Sequence, residues 1–291
     1  MEKLAAIVAN PAARKASREK IDLASRLLNR AGYRVIAYYT ESKGHGIELA
    51  RRAVSDGASM VIAAGGDGTF NEVMNALAGG DVPMGLLPAG TTNVLAKELR
   101  LPENVKGAIK RILSGAVHDV HVGRLVFPGG VERKFFLMAS AGFDAWAVYC
   151  VDSKFKQHSG KMAYIMSGLK NLFSWNPGLL TVRADGEEHR ASGVIVCKAA
   201  SYGGYIKAAP DARLSEPHLY AVIMKGFGKR DVLRYAAGII LRRHTRFRDI
   251  VYRKCSAVEV LGKTHLQADG DYMGLAPVKI DVAPERLKLV Y

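Results

Sequence analysis

Apolar and polar positions along the 291-residue chain follow two rhythms. In the first, short apolar runs alternate with stretches whose apolar residues recur every three or four positions. Leu4 to Ala9 predicts a buried strand that stops at Asn10-Pro11. Ile21, Ala24, Leu27, Leu28 and Ala31 predict a helical face closed by Gly32. Tyr33 to Thr40 predicts a second strand, Gly46 to Val54 a helix, and Met60 to Ala64 a third strand. A helix from Thr69 to Ala78 carries Phe70, Val73, Met74 and Leu77 on one face. Met84 to Leu87 predicts a fourth strand, and a helix through Leu99 follows it. Strands alternating with helices predict a parallel sheet covered on both faces, with ligands gathering at the carboxyl ends of its strands. Four polar loops fall at those ends: Asn10-Pro11, Thr40-Glu41-Ser42, Gly65 to Thr69, and Gly90 to Asn93. They are expected to converge on one cleft.

From about Val117 the helices thin out and strand-like runs dominate. They are His121 to Phe127, Lys134 to Ala139, Leu179 to Ala184, Gly193 to Lys198, Tyr220 to Met224, Ala257 to Leu261, Val278 to Val282 and Leu287 to Tyr291. Asp185-Gly186, between two apolar runs, is a strong hairpin signal. Two helical insertions are expected, Lys161 to Trp175 and Lys229 to Arg253. The second is amphipathic, with Arg230, Arg234, Arg242, Arg243, Arg246 and Arg248 against Val232, Leu233, Ala236, Ile240 and Leu241. The expected architecture is therefore α/β plus mainly-β: a three-layer α/β domain over 1–118 and an antiparallel β-sandwich domain over 119–291.

The stretch Gly65-Gly66-Asp67-Gly68-Thr69 carries the first chemical signal. Glycines permit close approach of a ligand to bare backbone, and amide N–H groups at a helix start form an anion site. Thr69 and Glu72 have the spacing of a capping box at that start. A carboxylate, Asp67, is out of place in an anion site unless a metal ion or a hydroxyl proton needs it, which points to phosphate chemistry. The formal charge of +15 suits a polyanionic partner such as an anionic membrane surface or a phosphate-rich ligand. Nucleic acid is not expected as a partner, because no recognition motif accompanies the charge. Cys150, Cys197 and Cys255 are scattered and odd in number, which fits a reducing cytoplasm. The apolar run after Met1-Glu2-Lys3 is too short for a signal peptide, and no stretch approaches a membrane span, so contact with a membrane is expected at its surface. Gly262-Lys263-Thr264 lacks the flanks of a P-loop, and His118 and His121 lack metal-ligand partners; both are read as structural.

Gly65-Gly66-Asp67-Gly68-Thr69 with Asn71-Glu72, followed by Pro88-x-Gly90-Thr91-x-Asn93, resembles the diacylglycerol kinase catalytic-domain family of bacterial-type soluble lipid kinases. Matches continue with Asn10-Pro11, Thr40 and Gly44-His45, Gly160-Lys161-x-x-Tyr164, Gly203-Gly204 before Ala209-Pro210, and Asp269-Gly270-Asp271. The resemblance implies that the first domain binds nucleotide, that the second takes the lipid substrate, and that the last strands pack back on the first. It implies transfer of the γ-phosphoryl group of Mg-ATP to the hydroxyl of diacylglycerol or a related lipid alcohol.

Carried over by residue, Asn10, Thr40, Gly65, Gly66, Asp67, Gly68, Thr69, Asn71, Glu72, Gly90, Thr91 and Asn93 would hold ATP, with Asp67 also meeting Mg2+. Asp271, Asp269 and Asp67 are the expected catalytic acids. Asp271 stands where the family usually has glutamate, as proton acceptor from the lipid hydroxyl. A further departure follows Pro210-x-Ala212, where the family's Asp-Asp-Gly helps hold a structural magnesium. Here the residues are Ser215-Glu216-Pro217, and they are not assigned to a metal. A cytoplasmic enzyme in peripheral, transient contact with an anionic membrane surface is expected, through the basic helix, and a homodimer is compatible with it. An NAD kinase-like enzyme, which shares the Gly-Gly-Asp-Gly block, and a catalytically impaired lipid- or nucleotide-binding protein are the alternatives.

Overall fold

The computed structural model describes residues 3–13, 16–150, 175, 178–204 and 206–291. The Gly160-Lys161-x-x-Tyr164 motif and nearly all of the expected Lys161 to Trp175 helix lie outside the described residues. The chain forms two compact units, Met1–His121 with Pro284–Tyr291, and Val122–Ala283.

The first unit alternates as its apolar rhythm predicts: β1 (Lys3–Ala9), α1 (Arg18–Arg30), β2 (Tyr33–Tyr39), α2 (His45–Ser55), β3 (Met60–Gly65), α3 (Asp67–Leu77), β4 (Met84–Pro88), α4 (Val94–Glu98) and α5 (Val105–Ser114). The four strands are parallel in the order β2-β1-β3-β4. β1 and β3 are buried at every position but Lys3, so neither shows the alternation of a half-exposed strand. One face packs Ile7, Ile62 and Leu87 against Ile21, Ala24 and Leu28 of α1 and Ile109 and Ile112 of α5. Val290, near the end of the chain, joins this core, and Leu289 pairs in parallel with Met84 of β4. On α2, Leu49, Ala50 and Ala53 are buried, as are Phe70, Val73, Met74 and Leu77 on α3. The strand order reverses direction between β1 and β3, so the crevice at their carboxyl ends is the switch point where ligands bind in open α/β sheets.

β5 (Val117–Val126) begins in the first unit and runs into the second. There follow β6 (Glu132–Phe135), β7 (Met138–Ala141), α6 (Phe143–Cys150), β8 (Leu180–Ala184), β9 (Glu187–Ala191), β10 (Gly193–Cys197), β11 (Ser201–Tyr202), β12 (Ile206–Lys207), β13 (Leu219–Met224), α7 (Lys229–Ile240), β14 (Ile250–Cys255), β15 (Ala257–Leu261), β16 (His265–Ala268), β17 (Asp271–Leu275) and β18 (Val278–Val290). Six strands form an antiparallel sheet, β14-β13-β10-β7-β16-β17. β9, β8, β15 and the start of β18 form a second run, with β5 and β6 beside it. Inward residues of both, among them Val182, Val194, Val196, Ala221, Ile223, Val258, Val260 and Ile280, make one core.

Three expectations about this unit need correction. The run Lys134 to Ala139 is broken, with β6 ending at Phe135 and β7 starting at Met138. The second helical insertion ends at Ile240, not near Arg253, and the chain resumes as β14 from Ile250. Arg242 takes φ 56°, the left-handed stop that glycine normally marks, so the sequence carries no visible signal for it. The two final strands, Val278 to Val282 and Leu287 to Tyr291, are one continuous strand.

Candidate active site

The geometry of the first unit is set by close backbone packing at the switch point. Gly66 precedes α3 in extended conformation, so the helix begins at Asp67, two residues earlier than the spacing of Thr69 suggests. A Cβ on Gly90 would lie 2.5 Å from the Gly66 Cα and 2.8 Å from Asn93 Oδ1, so the two loops touch through bare backbone. A Cβ on Gly65 would strike Thr69 Oγ1 at 2.3 Å. Gly68 is different: it is exposed and nothing lies within 4 Å of where its Cβ would be. Packing does not require glycine there, whereas a ligand against the first turn of α3 would. The first N–H groups of that turn have no intrahelical partner and suit an anion.

Asp67 occupies the first turn of α3, where its Oδ2 accepts from Val94 N and its Oδ1 from Leu95 N, both at 3.0 Å. It thereby caps α4 and fixes the Gly90–Asn93 loop against α3. Burial pushes its carboxyl pKa up, opposed by those two N–H groups and by Lys97. Each carboxylate oxygen keeps a second lone pair for a cation or a hydroxyl. Asn93, buried at φ 49°, accepts from Gly90 N (2.9 Å) and donates to Gly90 O (3.1 Å), closing its own loop, while Thr91 is exposed. Asn10 follows β1, its N–H bonded to Ala64 O at 3.0 Å and its Oδ1 accepting from Ala12 N. Thr40 directly follows β2, buried, with its N–H on Ala9 O. Asn71 accepts from Asn75 one turn along α3. Asn10, the Gly65–Thr69 turn and the Gly90–Asn93 loop are thus adjacent, with Thr40 one strand away.

The capping box is not formed. Glu72 turns instead to α2, where Oε1 accepts from Gly44 N at 2.8 Å and Oε2 from Gly46 N at 2.9 Å. With Thr69 inside the helix, its spacing from Glu72 has no capping function, and the orphan donors that need a carboxylate are those of α2.

In the second unit, Asp269 (φ 49°) and Gly270 (φ 84°) form the turn between β16 and β17, as Asp185 and Gly186 do between β8 and β9. Asp269 is committed to that framework: Oδ2 accepts from Phe136 N at 2.7 Å, and Oδ1 from Leu137 N and Met138 N at 2.9 and 3.0 Å. Asp271 opens β17 opposite Ala268. The turn is also held at its centre, where Gly270 N donates to Gln267 Oε1 at 2.9 Å. Gln267, buried on β16, donates to Ser140 Oγ and Asp144 Oδ2, both at 2.8 Å. Ser140 and Tyr202 also donate to Asp144. This network around Asp144 was not found from the sequence. Its one signal is positional: Gly142-Phe143-Asp144 follows a strand and opens α6, as Gly66-Asp67 does for α3.

The residues fit an ATP phosphate group and a metal that arrives with it. Gly68 leaves backbone bare at the helix start, and Asp67 is a nearby carboxylate. Among the described residues no cluster of three or more His, Cys, Asp or Glu could hold a metal ion by itself. A site with one carboxylate and substrate phosphates suits a hydrated divalent cation. Gly262-Lys263-Thr264 joins β15 of one sheet to β16 of the other with no helix after it, which excludes a P-loop, and His118 lies against Tyr291 with ring centroids 4.3 Å apart.

A glycine-lined helix start at the switch point of a parallel sheet suits a phosphate, and this α/β unit shares one chain with an antiparallel β unit. Comparison with known proteins matches two family domains in succession. Residues 4–125 match the diacylglycerol kinase catalytic domain, and residues 138–291 the YegS C-terminal NAD kinase beta sandwich-like domain. The diacylglycerol kinase of Bacillus subtilis (strain 168) is 30% identical over 284 residues, covering 94% of this chain and 92% of that protein. That of Staphylococcus aureus (strain MRSA252) is 30% identical over 288 residues, covering 95% and 89%. The fold matches the crystal structure of a diacylglycerol kinase from Bacillus anthracis str. Sterne with a TM-score of 0.78 at 22% identity, covering 100% of this chain and 97% of that one. The chain belongs to the diacylglycerol kinase family and is a lipid kinase. Membership implies ATP as co-substrate and a divalent metal.

Proposed function

We propose that the protein transfers the γ-phosphoryl group of Mg-ATP to the hydroxyl of diacylglycerol or a related lipid alcohol, with Asp271 accepting the hydroxyl proton. The observation that carries the assignment of Asp271 is the state of its neighbour. Asp269 engages its carboxylate with three backbone N–H groups and so serves the frame of the turn, while Asp271, at the start of β17, stands where the resemblance puts the proton acceptor. Phosphoryl transfer needs positioning and charge neutralisation more than covalent help. The Gly66–Thr69 turn supplies N–H groups for the phosphates, Asp67 a ligand for Mg2+, and Asn10, Thr40 and Gly90–Asn93 the walls of the nucleotide site. Glu72 and Asn71 support this frame from α3.

Contact with an anionic membrane surface is supported by α7 and the turn after it. Leu233, Ala236, Ala237, Ile240 and Leu241 form an i, i+3, i+4, i+7, i+8 stripe that is exposed, Ile240 at 61% and Leu241 at 65%. Lys229, Arg230, Arg242, Arg243, Arg246 and Arg248 are exposed around it. Apolar side chains flanked by cations are the marks of an interfacial helix on anionic lipid. Arg234 does not join them, because it bridges Asp231 and Asp249. A cytoplasmic kinase that docks peripherally fits this arrangement.

The test is incubation with γ-labelled ATP, Mg2+ and a panel of lipid alcohols in mixed micelles, with NAD as a further acceptor. Label in diacylglycerol or a related lipid, lost in Asp271→Asn, is expected. Label in NAD alone would move the protein to NAD kinase chemistry. ATP binding without label in any acceptor would leave a binding protein. Addition of anionic vesicles is expected to sediment the protein, and Leu233→Ser with Ile240→Ser to release it while micellar activity persists.

A further inference from the structure

The segment Ala208–Leu219 is where the family resemblance implies a structural magnesium, and its residues do not fit one. Hard divalent cations take carboxylate and carbonyl oxygens. Here the carbonyls of Ala208, Pro210, Ala212 and Arg213 are already served by nitrogen donors from the chain. Ala208 O meets His244 Nε2 at 2.7 Å, and Pro210 O and Ala212 O accept from Arg213 Nη1 at 2.7 and 2.8 Å. Arg213 O accepts from Glu216 N and from Lys198 Nζ, the latter at 2.5 Å. The carboxylates are engaged as well: Asp211 accepts from the Tyr252 hydroxyl, and Glu216 lies 3.6 Å from Lys254 Nζ.

Lys198 is the unusual member. It directly follows β10, its own N–H is held by Leu137 O, and it is fully buried, which lysine almost never is without a partner. Burial pulls its pKa down to about 8, with Glu216 opposing, so it still carries its proton at neutral pH. Pro217 stiffens the turn where the family has glycine.

We infer that the Lys198 ammonium is a built-in cation that locks the Arg213–Glu216 turn, so that the second unit folds without the divalent metal the family uses there. The demand for a divalent metal is then confined to the nucleotide.

The experiment is thermal unfolding of the nucleotide-free full chain in EDTA and in saturating Mg2+, followed by tryptophan fluorescence. Both tryptophans, Trp146 and Trp175, belong to the second unit. Equal Tm in both buffers is expected. A metal site filled at 100 times its Kd would raise Tm by roughly 5–10 °C. A Mg2+-dependent rise abolished by Glu216→Gln would overturn the inference; a rise that survives that change belongs to another site and leaves the turn metal-free. Lys198→Met is expected to lower Tm by several degrees without recovery in Mg2+. A Lys198→Met protein as stable as the wild type, or restored by Mg2+, would also overturn it. Should Lys198→Met fail to fold, the wild-type comparison still decides.

Discussion

Asp269 and Asp271 stand two residues apart on one turn, and their substitution should separate stability from catalysis. In Asp269→Asn, one oxygen can keep Leu137 N and Met138 N, but the amide NH2 then faces Phe136 N, now bonded at 2.7 Å. One buried N–H loses its acceptor, which costs about 1–3 kcal/mol. Asp269→Ala orphans all three donors; the additive bound is about 3–9 kcal/mol, and water reaching this half-buried turn brings it to roughly 3–5 kcal/mol. That is a large part of the ~5–15 kcal/mol that holds a domain folded. Asp271→Asn keeps its backbone pairing with Ala268 and leaves the three N–H groups held by Asp269 in place, so it should change stability far less than Asp269→Ala. Its rate of transfer should fall about 10²–10⁴-fold, the contribution of a general base. Urea unfolding followed by tryptophan fluorescence reads the second unit alone, and initial rates at saturating ATP read the chemistry. Wild-type stability in Asp269→Ala, with a rate loss equal to that of Asp271→Asn, would refute the division of roles.

Glu72→Gln should lower the stability of the first unit by about 1–3 kcal/mol, because one of Gly44 N and Gly46 N loses its acceptor; urea unfolding followed by far-UV circular dichroism measures it. Gly90→Ala would force the loops at Gly66 apart against backbone, and is expected to cost about 1–3 kcal/mol and to weaken ATP binding in a calorimetric titration. Gly68→Ala, with open space at its Cβ, should leave stability nearly unchanged and lower ATP affinity, so a wild-type affinity would count against ligand approach at this turn. His189 is buried on β9, and desolvation lowers its pKa, with Glu187 opposing and Lys225 and Arg253 assisting. A base depressed in the folded state takes up protons preferentially when unfolded, so its contribution is intact above pH ~6.5 and is lost as pH falls through the lowered pKa. His189→Asn should flatten the acid limb of the stability profile.

The first unit was legible because its signals were periodic and local. Buried strands of four to seven apolar residues and helices with one apolar face each show at their own spacing, and the switch point follows from the order β2-β1-β3-β4. What escaped depended on partners distant in sequence. Glu72 has the spacing of a local cap, but its donors are 26 and 28 residues away on α2, and no spacing rule reaches that far. α7 ran on in the sequence reading because Arg242, not glycine, takes the left-handed stop, and the strand after it begins among arginines.

The two aspartates of the strand–turn–helix junctions show why motif and role separate. Asp67 and Asp144 each sit in the first turn of a helix that follows a buried strand, and glycine precedes both helices. At Asp67 the donors are backbone N–H groups of one neighbouring loop, and an exposed glycine beside it leaves the helix start accessible. At Asp144 the donors are three side chains, from β7, β11 and β16. The same junction therefore leaves an open helix start in one unit and a polar anchor held by side chains in the other. The anchor is linked to the turn proposed to be catalytic, since Gln267 donates to Asp144 and accepts from Gly270 N, between Asp269 and Asp271. If that link positions the turn, Gln267→Leu should lower the rate of transfer at saturating ATP while the KM for ATP stays as in the wild type. A loss confined to stability would make the Asp144 network a support of the fold and nothing more.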